Sequence, residues 1–487
     1  DIYSTVSHSY RTSSQRTPAR MKGHHPTPPP LAEQMARRLF EDDPPTEGDR
    51  ILYPGCGAEA PFAQAVEAIC REEGYPLPSG LAIENDPDLA GRAESLEMGH
   101  LRLRKVDFLG PEMAEEGPFD YVLGNPPYVP IEGLSEEEKA RYRSSFRVAK
   151  GRFDLYLLFF ERALSLLAPG GRLVFVTPEK WEYVETALPL RQLVTGRGPS
   201  GASYHVEEIN HIEEDAFPQL TAYPSVTTIR RIEGDAVPGR APQIRTRDGT
   251  AHQTQLPSGG ESWAAAVRGK DLSEMETGLT LGDVSVRVSP GMATGADAVF
   301  VFGKEEVPES LVPKWTRPTV SGEELTHGGA SNPQSVFACP YRSDGTLPEE
   351  NELGAFGEWA ARHRERLENR SCVQKAGKRW YAWHETPPMQ DILRPKIVFK
   401  DIAKEPKFWD ERTGEIIPRH TVYYLVPEEG VSFDQLLDYL NGPVAKEWME
   451  AHCQRAANGF LRLQSRVLQR LPVPTGIARE RQGALAL

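Results

Sequence analysis

The segment Asn125-Pro126-Pro127-Tyr128 has the residue types needed to activate a planar nitrogen atom. Two consecutive prolines make the loop rigid and remove two backbone donors, which leaves carbonyl oxygens free to accept. The lone pair of an aromatic amine is delocalised, so hydrogen bonds accepted from both amino hydrogens favour a pyramidal, nucleophilic nitrogen. The Asn125 side-chain oxygen and the Pro126 carbonyl oxygen are suitable acceptors, and Tyr128 offers a face for stacking. The alternative is an Asn-Pro turn with a buried tyrosine.

Two motifs earlier in the chain suit the binding of a nucleotide. Tyr53-Pro54-Gly55-Cys56-Gly57 follows a strand candidate, and its glycines let the backbone approach a ligand closely at the start of a helix. A tight turn without a ligand is the alternative. Glu84 follows the next strand candidate, where a carboxylate can accept hydrogen bonds from ribose hydroxyls. The alternative there is a simple helix cap by Asp86.

A third motif, Lys105-Val106-Asp107-Phe108, follows the third strand candidate. Asp107 can accept a hydrogen bond from an adenine amino group, and the Phe108 ring can stack on the base. In an open parallel sheet, ligands bind outside the carboxyl ends of the strands, near the place where the strand order reverses. The order and spacing of the motifs therefore predict a nucleotide site and a reaction site at one edge of a sheet.

The elements that must position these motifs alternate between strand-like apolar runs and amphipathic helical stretches. This alternation predicts a doubly wound α/β domain with a parallel sheet. The strand candidates are Arg50–Tyr53, Gly80–Ile83, Leu101–Val106, Tyr121–Leu123, Arg172–Val176 and Ser225–Arg230. The helix candidates include Leu31–Phe40 and Asp154–Leu167, and Ala168-Pro169-Gly170-Gly171 stops the second of them.

The length of 487 residues suits two domains. From about Gly234 to Glu261 the chain is polar and rich in Gly, Pro, Thr and Gln, which indicates a linker or a surface excursion. The predicted organisation is an N-terminal tail at 1–20, a catalytic domain at 21–235, a linker at 236–262, an α+β domain at 263–475 and a C-terminal tail at 476–487. Phe433–Leu440 and Val444–Cys453 are helix candidates of the second domain.

Composition argues against several classes of protein. The sequence contains no apolar run long enough to span a membrane, and its N-terminus lacks the apolar core of a signal peptide, so a cytoplasmic location is expected. Five scattered cysteines without a C-x-x-C pair argue against a disulfide framework and a zinc knuckle, and no metal site is predicted. The net charge of -14 requires that any groove for nucleic acid be a local basic patch.

In their order, these motifs resemble those of the gamma-type N6-adenine DNA methyltransferases, specifically those with a TaqI-like C-terminal target-recognition domain. Gly23-His24-His25-Pro26-Thr27-Pro28-Pro29 is similar to the family's N-terminal motif, in which the Thr-Pro segment lies against the methionine end of the cofactor. The stretches Gly151–Tyr156 and Leu166–Trp181 match the family's next block almost continuously. Ala216-Phe217-Pro218 resembles the position whose ring contacts the flipped adenine.

The resemblance implies a Rossmann-like domain that uses S-adenosylmethionine and methylates N6 of a flipped adenine in double-stranded DNA. It assigns catalysis to Asn125, Pro126, Pro127, Tyr128 and Phe217, with Tyr128 and Phe217 as a clamp around the base. The cofactor-binding residues are Thr27, Pro54, Gly55, Gly57, Glu84, Asp107, Phe108 and Asn125. The implied setting is restriction-modification or phage defence, with any restriction endonuclease or defence protein encoded separately.

The resemblance extends into the second domain. Val288–Gly295 is similar to a glycine-bearing motif at the start of these recognition domains, and Lys396–Asp401 and the stretch from Phe460 to Pro474 also fit the pattern. Basic and aromatic residues there can contact phosphates or bases. These candidates are Lys378, Arg379, Trp380, Lys396 and Lys400. The alternative is a tryptophan in the core and charges on a solvated face.

Two positions depart from the family pattern, which has an acidic residue at the place of Tyr53 and a further glycine near Glu59. Glu59 puts a negative side chain near the expected methionine end of the cofactor. The four residues from Asn125 to Tyr128 also serve enzymes that methylate a glutamine amide of a protein or amino groups of RNA, so the loop does not decide the substrate. A further alternative is a DNA-binding module that has kept the fold without the cofactor.

Overall fold

The computed structural model describes residues 25–196, 201–213, 216–217, 223–232, 240–269, 278–456 and 459–478. The chain divides into two compact units, the first ending at Trp263 and the second beginning at Ala264. The predicted N-terminal tail, most of the predicted C-terminal tail, and Gly23, His24 and Pro218 of the motifs lie outside the described residues.

The first unit is built on a nine-stranded sheet. Its strands are β1 (Arg50–Pro54), β2 (Ser79–Ile83), β3 (Leu101–Arg104), β4 (Phe119–Gly124), β5 (Leu167–Pro178), β6 (Tyr204–His211), β7 (Pro224–Arg231), β8 (Gln243–Arg245) and β9 (Ala251–Gln253). Its α-helices are α1 (Pro29–Phe40), α2 (Pro61–Glu73), α3 (Pro87–Glu94), α4 (Glu136–Ser145), α5 (Leu155–Leu166) and α6 (Leu188–Thr195). The strand order is β3-β2-β1-β4-β5-β7-β6-β8-β9.

Strands β1 to β5 run parallel, and their order reverses between β1 and β4. Strand β7 pairs antiparallel with both β5 and β6. The predicted α/β fold is confirmed: the first unit is a doubly wound, Rossmann-like domain. All six strand candidates and both helix candidates are present, with ends shifted by a few residues. Strand β6 is absent from the predicted strands, because its mixed polar sequence lacks a continuous apolar run.

The connection from α5 to β5 explains the predicted helix stop. Helix α5 ends at Leu166, and β5 begins with the next residue. Gly170 has a φ of +81°, in the left-handed region that favours glycine. A Cβ on Gly171 would lie 2.9 Å from the Ala168 carbonyl oxygen and 3.0 Å from that of Asp120. The two glycines therefore allow β5 to pass closely against β4 at the irregularity between Leu167 and Arg172.

The segment predicted as a linker contributes two short strands to the sheet instead of remaining irregular. Strand β8 pairs parallel with β6, and β9 pairs antiparallel with β8. Ile244 in the middle of β8 is fully buried. Each strand has only three residues, too few for a periodic pattern to stand out in a polar segment.

The second unit is an α+β arrangement of three sheets, as predicted. Its strands are β10 (Ser285–Pro290), β11 (Val301–Gly303), β12 (Thr316–Thr319), β13 (Ser335–Ala338), β14 (Lys396–Lys400), β15 (Ile402–Ala403), β16 (Phe408–Glu411), β17 (Val422–Pro427), β18 (Gln454–Ala456) and β19 (Phe460–Arg462). Its α-helices are α7 (Ala264–Val267), α8 (Asp297–Phe300), α9 (Gly322–Gly328), α10 (Ala355–Ala361), α11 (Arg364–Glu368), α12 (Ser371–Gln374), α13 (Met389–Ile392), α14 (Phe433–Asn441), α15 (Pro443–His452) and α16 (Ser465–Leu468).

The three sheets have the orders β10-β17-β14-β16, β11-β13-β12 and β15-β19-β18. The largest of them separates two apolar clusters. One contains Val398 and Tyr424, and the other contains Ile397 and Leu425, which point to the opposite face. Within the described parts of the chain, no helix is long and apolar enough to cross a membrane. All five cysteines are buried and free.

Candidate active site

The carboxyl ends of β1, β2 and β4 bring three of the predicted motifs to one edge of the sheet. Glu84 follows β2 directly and is 6% exposed. Its Oε2 accepts a hydrogen bond from the Gly57 backbone N–H at 3.0 Å, and its Oε1 accepts one from the Asp86 N–H at 3.0 Å. Glu84 therefore ties the glycine turn after β1 to the start of α3. Asp86 caps α3 by accepting from two backbone N–H groups, as the alternative interpretation predicts, and the ribose contact of Glu84 stays a prediction.

A cavity of about 390 Å³ lies at this edge of the sheet. Its lining combines apolar side chains with four carboxylates, those of Glu84, Asp86, Asp107 and Glu138. The residues lining it are His25, Gly55, Ile83, Glu84, Asn85, Asp86, Pro87, Leu89, Val106, Asp107, Phe108, Asn125, Pro127, Val129, Leu134, Glu138, Tyr142, Leu155 and Phe159. Phe108 packs on Phe159 with ring centroids 4.9 Å apart. An apolar slot with a few carboxylates suits a nucleoside.

Asp107 forms an ion pair that the sequence analysis missed. Its Oδ2 lies 3.0 Å from Nη2 of Arg141 on α4, and its Oδ1 accepts from the Leu109 N–H at 2.9 Å. Helix α4 begins with a capping box at Ser135 and contributes Tyr142 to the cavity wall. The Ser-x-x-Glu signal could have predicted α4, but nothing local indicates that Arg141 reaches a residue so distant in sequence.

The side chain of Asn125 has a defined orientation. Its Nδ2 donates to the His25 carbonyl oxygen at 2.9 Å and to Thr27 Oγ1 at 3.1 Å. Because a backbone carbonyl oxygen only accepts, the amide nitrogen must occupy this side. The Asn125 Oδ1 is buried and accepts no hydrogen bond from the described residues. The predicted acceptor, Asn125 Oδ1, therefore has no donor among the described residues.

The carbonyl oxygens of the two prolines in the loop have different surroundings. Pro126 is buried and Pro127 half-buried, and the Pro127 carbonyl oxygen accepts from the Val129 N–H at 3.2 Å. No described residue donates to the Pro126 carbonyl oxygen. The loop thus carries two acceptors, Asn125 Oδ1 and Pro126 O, that the described part of the chain leaves without donors.

Tyr128 lies in an aromatic group beside the loop. Its ring centroid is 5.5 Å from that of His25 and 6.1 Å from that of Tyr156. The Tyr128 hydroxyl donates to the Val176 carbonyl oxygen at 3.3 Å, and burial raises the pKa of Tyr128 well above its usual value. Tyr128 is therefore a neutral aromatic side chain at ordinary pH, suited to stacking rather than to proton transfer.

Thr27 lies at a second cavity of about 260 Å³, next to the first. The residues lining it are His25, Pro26, Thr27, Cys56, Gly57, Ala58, Glu59, Pro61, Phe62, Leu89, Arg92 and Asn125. His25, Leu89 and Asn125 line both cavities. Desolvation raises the pKa of the Cys56 thiol to about 12, which makes it a poor nucleophile here.

Phe217 is not among the residues that line these two cavities. It is 4% exposed and packs in the apolar cluster that contains α1, α2 and the strands beside them, including Leu123 and Val176. All predicted cofactor residues except Pro54 line one or both of these cavities. Pro54, the last residue of β1, packs against Gly124, the last residue of β4. Among the described residues, the ring contacts of Tyr128 are with His25 and Tyr156, and Phe217 is not among them.

The two departures from the family pattern have different surroundings. Tyr53 is 1% exposed, lies in the same apolar cluster as Phe217 and lines neither cavity. Glu59 is exposed and forms an ion pair with Arg92. Ala60, which follows it, has a φ of +40°, a conformation that usually selects glycine. Ala60 therefore adds backbone strain to the turn after β1 that a glycine at this position would avoid.

Several residues of the second unit that were predicted to contact DNA are buried or bonded to other residues of the same unit. Lys396 is fully buried and paired with Glu411, so the prediction that it contacts phosphate is wrong for this structure. Trp380 is also buried, which agrees with the alternative that it is a core tryptophan. Lys378 Nζ donates to the His384 carbonyl oxygen at 2.8 Å, and Arg379 is paired with Glu349.

The glycine-bearing motif of the second unit begins in β10, and its two glycines follow the strand. A Cβ on Gly291 would collide with the carbonyl oxygens of Pro418 and Arg419, and Gly295 has a φ of +73°. Both glycines are therefore required by the backbone path. Among the described residues of both units, no three His, Cys, Asp or Glu side chains group as a metal site would require.

Known proteins resemble the chain over both units. Residues 83–215 match the Eco57I restriction-modification methylase family. The chain is 28% identical to the type II methyltransferase M.PaeR7I of Pseudomonas aeruginosa, with 89% of this chain and 82% of that protein covered. It is 26% identical to the type II methyltransferase M.XhoI of Xanthomonas vasicola, with 77% and 72% covered. The type II methyltransferase M.TthHB8I of Thermus thermophilus is 33% identical, over 38% of this chain and 41% of its own length.

Proposed function

We propose that this chain is a site-specific DNA methyltransferase that transfers a methyl group from S-adenosylmethionine to N6 of an adenine flipped out of the duplex. The observation that carries the proposal is the buried Oδ1 of Asn125, which has no donor among the described residues. A buried acceptor without a donor costs about 1–3 kcal/mol. An amino hydrogen of a substrate base would satisfy it, and the Pro126 carbonyl oxygen is available for the second hydrogen of the same amine.

The adjacent cavities fit the proposed cofactor. Glu84 would accept hydrogen bonds from the ribose hydroxyls, and Asp107 would accept one from the adenine amino group. Phe108 and Phe159 supply an apolar wall for that adenine. When bound, S-adenosylmethionine supplies an electrophilic methyl group on a sulfonium centre. Asn125, which lines both cavities, stands where the two halves of such a ligand meet.

In the proposed reaction, Asn125 Oδ1 and Pro126 O accept the two N6 hydrogens of the target adenine and favour a pyramidal nitrogen. Tyr128 offers its ring to the extruded base, which offsets part of the few kcal/mol that unstacking costs. With the amine held in this way beside the cofactor, the methyl group would pass to N6 and S-adenosylhomocysteine would be released. The surplus proton on N6 passes to water, and no covalent enzyme intermediate or metal is needed. Phe217 would complete the clamp only after leaving its buried position.

The relatives support double-stranded DNA as the substrate. M.PaeR7I and M.XhoI are named type II methyltransferases, and each is covered over more than two thirds of its length. The second unit is then the target-recognition domain, and a restriction endonuclease or defence protein would be a separate partner. RNA and protein glutamine are the competing substrates, because both present an amine or amide to the same acceptors. A DNA-binding module without cofactor is the remaining alternative, and the intact carboxylates at Glu84 and Asp107 count against it.

The test is incubation of the purified chain with labelled S-adenosylmethionine and unmethylated genomic DNA at low and at high salt, followed by nucleoside analysis. N6-methyladenine is the expected product, and sequencing of the modified DNA would then give the target. N4-methylcytosine would refute the adenine assignment but keep the chemistry. Transfer to RNA or protein alone would refute DNA as the substrate. Failure to bind the cofactor would leave the non-catalytic module.

A further inference from the structure

The second cavity has opposite charges on its wall. Glu59 lies between β1 and α2, and Arg92 lies on the last turn of α3. The Arg92 Nη2 is 3.4 Å from Glu59 Oε1. The same cavity is otherwise lined by small, apolar or uncharged polar side chains together with His25. A ligand group that enters this space therefore meets one carboxylate and one guanidinium.

Stability does not account for this ion pair. The Glu59 side chain is 74% exposed and that of Arg92 is 64% exposed. Exposed pairs of this kind contribute little to folding, because water screens them and two flexible side chains must be ordered. The separation of 3.4 Å is also long for a charge-assisted hydrogen bond. Both groups can therefore exchange their mutual contact for contacts with a ligand at small cost.

The two cavities together define the chemistry of that ligand. The first cavity carries Glu84 and Asp107 and suits a nucleoside, and the second is joined to it through shared lining residues. We infer that Glu59 and Arg92 bind the amino-acid end of the cofactor, Glu59 through its α-ammonium group and Arg92 through its α-carboxylate. This inference rests on the proposed function and assigns residues to a part of the cofactor that Glu84 and Asp107 do not touch.

The environment of Tyr53 strengthens the assignment. The end of β1 offers no carboxylate to an ammonium group, since Tyr53 is buried in the apolar cluster and lines neither cavity. Among the residues that line the second cavity, Glu59 is the acidic side chain. The Glu59 carboxylate, at a position where the family pattern has no acidic residue, is thus the group available to the α-ammonium of the cofactor. Arg92 balances it, so that the zwitterion meets a complementary pair.

The experiment is equilibrium binding to the full-length chain by calorimetry, with three ligands and no methyl transfer. S-adenosylhomocysteine carries the whole amino acid, its decarboxylated analogue keeps only the amine, and 5′-methylthioadenosine has neither group. Arg92→Gln is expected to weaken S-adenosylhomocysteine binding about tenfold, and to leave the other two ligands within about twofold. Glu59→Gln is expected to weaken the two amine-containing ligands about fivefold, and not 5′-methylthioadenosine.

Arg71→Gln is the matched control, because Arg71 forms an exposed pair with Glu67 on α2 and lines neither cavity. It is expected to bind all three ligands as the wild type does. Retained binding of 5′-methylthioadenosine shows that each variant is folded. Equal weakening of all three ligands, or unchanged binding of S-adenosylhomocysteine by both variants, would overturn the inference alone. A wild-type chain that binds none of the three would overturn the proposed function as well.

Discussion

Asn125 donates its side-chain amide to the carbonyl oxygen of His25 at 2.9 Å, across 100 positions of sequence. The same nitrogen donates to Thr27 Oγ1 at 3.1 Å. The segment before α1 therefore fixes which end of the amide faces the cavity. The direction of the proposed acceptor is set by residues outside the loop that carries it, so we expect the N-terminal motif to affect catalysis as well as cofactor binding.

Asn125→Ala should abolish most of the methyl transfer. The variant loses the acceptor for one amino hydrogen, and removal of a single preorganised polar group at a reaction centre costs on the order of 10²–10³ in rate. Binding of S-adenosylhomocysteine should change little, because Glu84 and Asp107 remain. The measurement is the single-turnover rate on genomic DNA beside a calorimetric dissociation constant. Near-normal turnover would sink the assignment of Asn125.

Asn125→Asp separates the two ends of this amide. The variant keeps an oxygen toward the cavity but places a second oxygen against the His25 carbonyl, where the amide donated. Repulsion there should displace Thr27 and weaken cofactor binding more than Asn125→Ala does. Thermal unfolding with and without ligand would detect this difference, since a ligand stabilises the folded state according to its affinity. Equal ligand-induced stabilisation of the two variants would contradict the anchoring role.

Tyr128→Phe should retain most activity, whereas Tyr128→Ala should not. The phenylalanine keeps the ring and loses a hydrogen bond of 3.3 Å to the Val176 carbonyl oxygen. The alanine loses base stacking, which contributes about 1–3 kcal/mol per base. Fluorescence of 2-aminopurine at the methylated position, once that position is mapped, would report base extrusion. A loss of activity in Tyr128→Phe as large as in Tyr128→Ala would show that the hydroxyl acts in the reaction.

Phe217 can be tested for its proposed contact with the base despite its burial. Phe217→Ala would confuse two effects, because truncation of a buried phenylalanine costs about 3–5 kcal/mol of stability. Phe217→Leu keeps most of the volume and should cost less than about 1.5 kcal/mol. We expect this variant to weaken capture of the extruded base more than binding of S-adenosylhomocysteine. Unchanged 2-aminopurine fluorescence and turnover would confine Phe217 to the core.

The strand-end motifs could be predicted because each depends on a few neighbouring residues. Glycines, an acidic residue and the Asn-Pro-Pro-Tyr loop follow buried strands in order, and a parallel sheet must bring such ends together. The structure places Gly57, Glu84, Asp107 and Asn125 around adjacent cavities, as that reasoning requires. Their assigned roles stay predictions until binding and transfer are measured.

Contacts between segments far apart in sequence could not be predicted in the same way. The pair of Arg141 with Asp107 and that of Arg92 with Glu59 join different elements, and no periodicity or spacing marks them. Burial was equally hidden for Lys396, since a lysine in a basic and aromatic stretch usually suggests a surface. Only the pairing of β14 with β16, which sets Lys396 opposite Glu411, explains its position.

The buried pair in the second unit should make that unit sensitive to single substitutions. Lys396→Met leaves Glu411 charged and unpaired in the interior, and the free energy of unfolding should fall by about 3–5 kcal/mol. Desolvation already lowers the pKa of Lys396. The Glu411 Oε1 also accepts from the Thr413 N–H at 2.8 Å and the Gly414 N–H at 3.0 Å.

The double variant Lys396→Met/Glu411→Gln removes both charges and keeps an acceptor for the turn after β16. It should recover most of the stability lost by Lys396→Met, because a buried pair replaced by neutral groups often costs little. Urea unfolding of the wild type and of the single and double variants measures the difference. A double variant no more stable than the single one would show that the charge of Lys396 is not what holds this site together.

His452 predicts a pH dependence of stability in the second unit. Its ring stacks on Trp448 at a centroid distance of 4.1 Å, and desolvation lowers the pKa of His452 to about 4. Because this value lies below that of the unfolded chain, the unfolded state binds the proton first as the pH falls. The stability that neutral His452 contributes is therefore complete near pH 7 and is lost between about pH 6.5 and pH 4. The loss should amount to about 1–3 kcal/mol.

Urea unfolding at pH 7.0 and pH 4.5 would measure this loss of stability. The variant His452→Gln should show a smaller change over this interval; an equal change would mean that other groups cause the acid sensitivity.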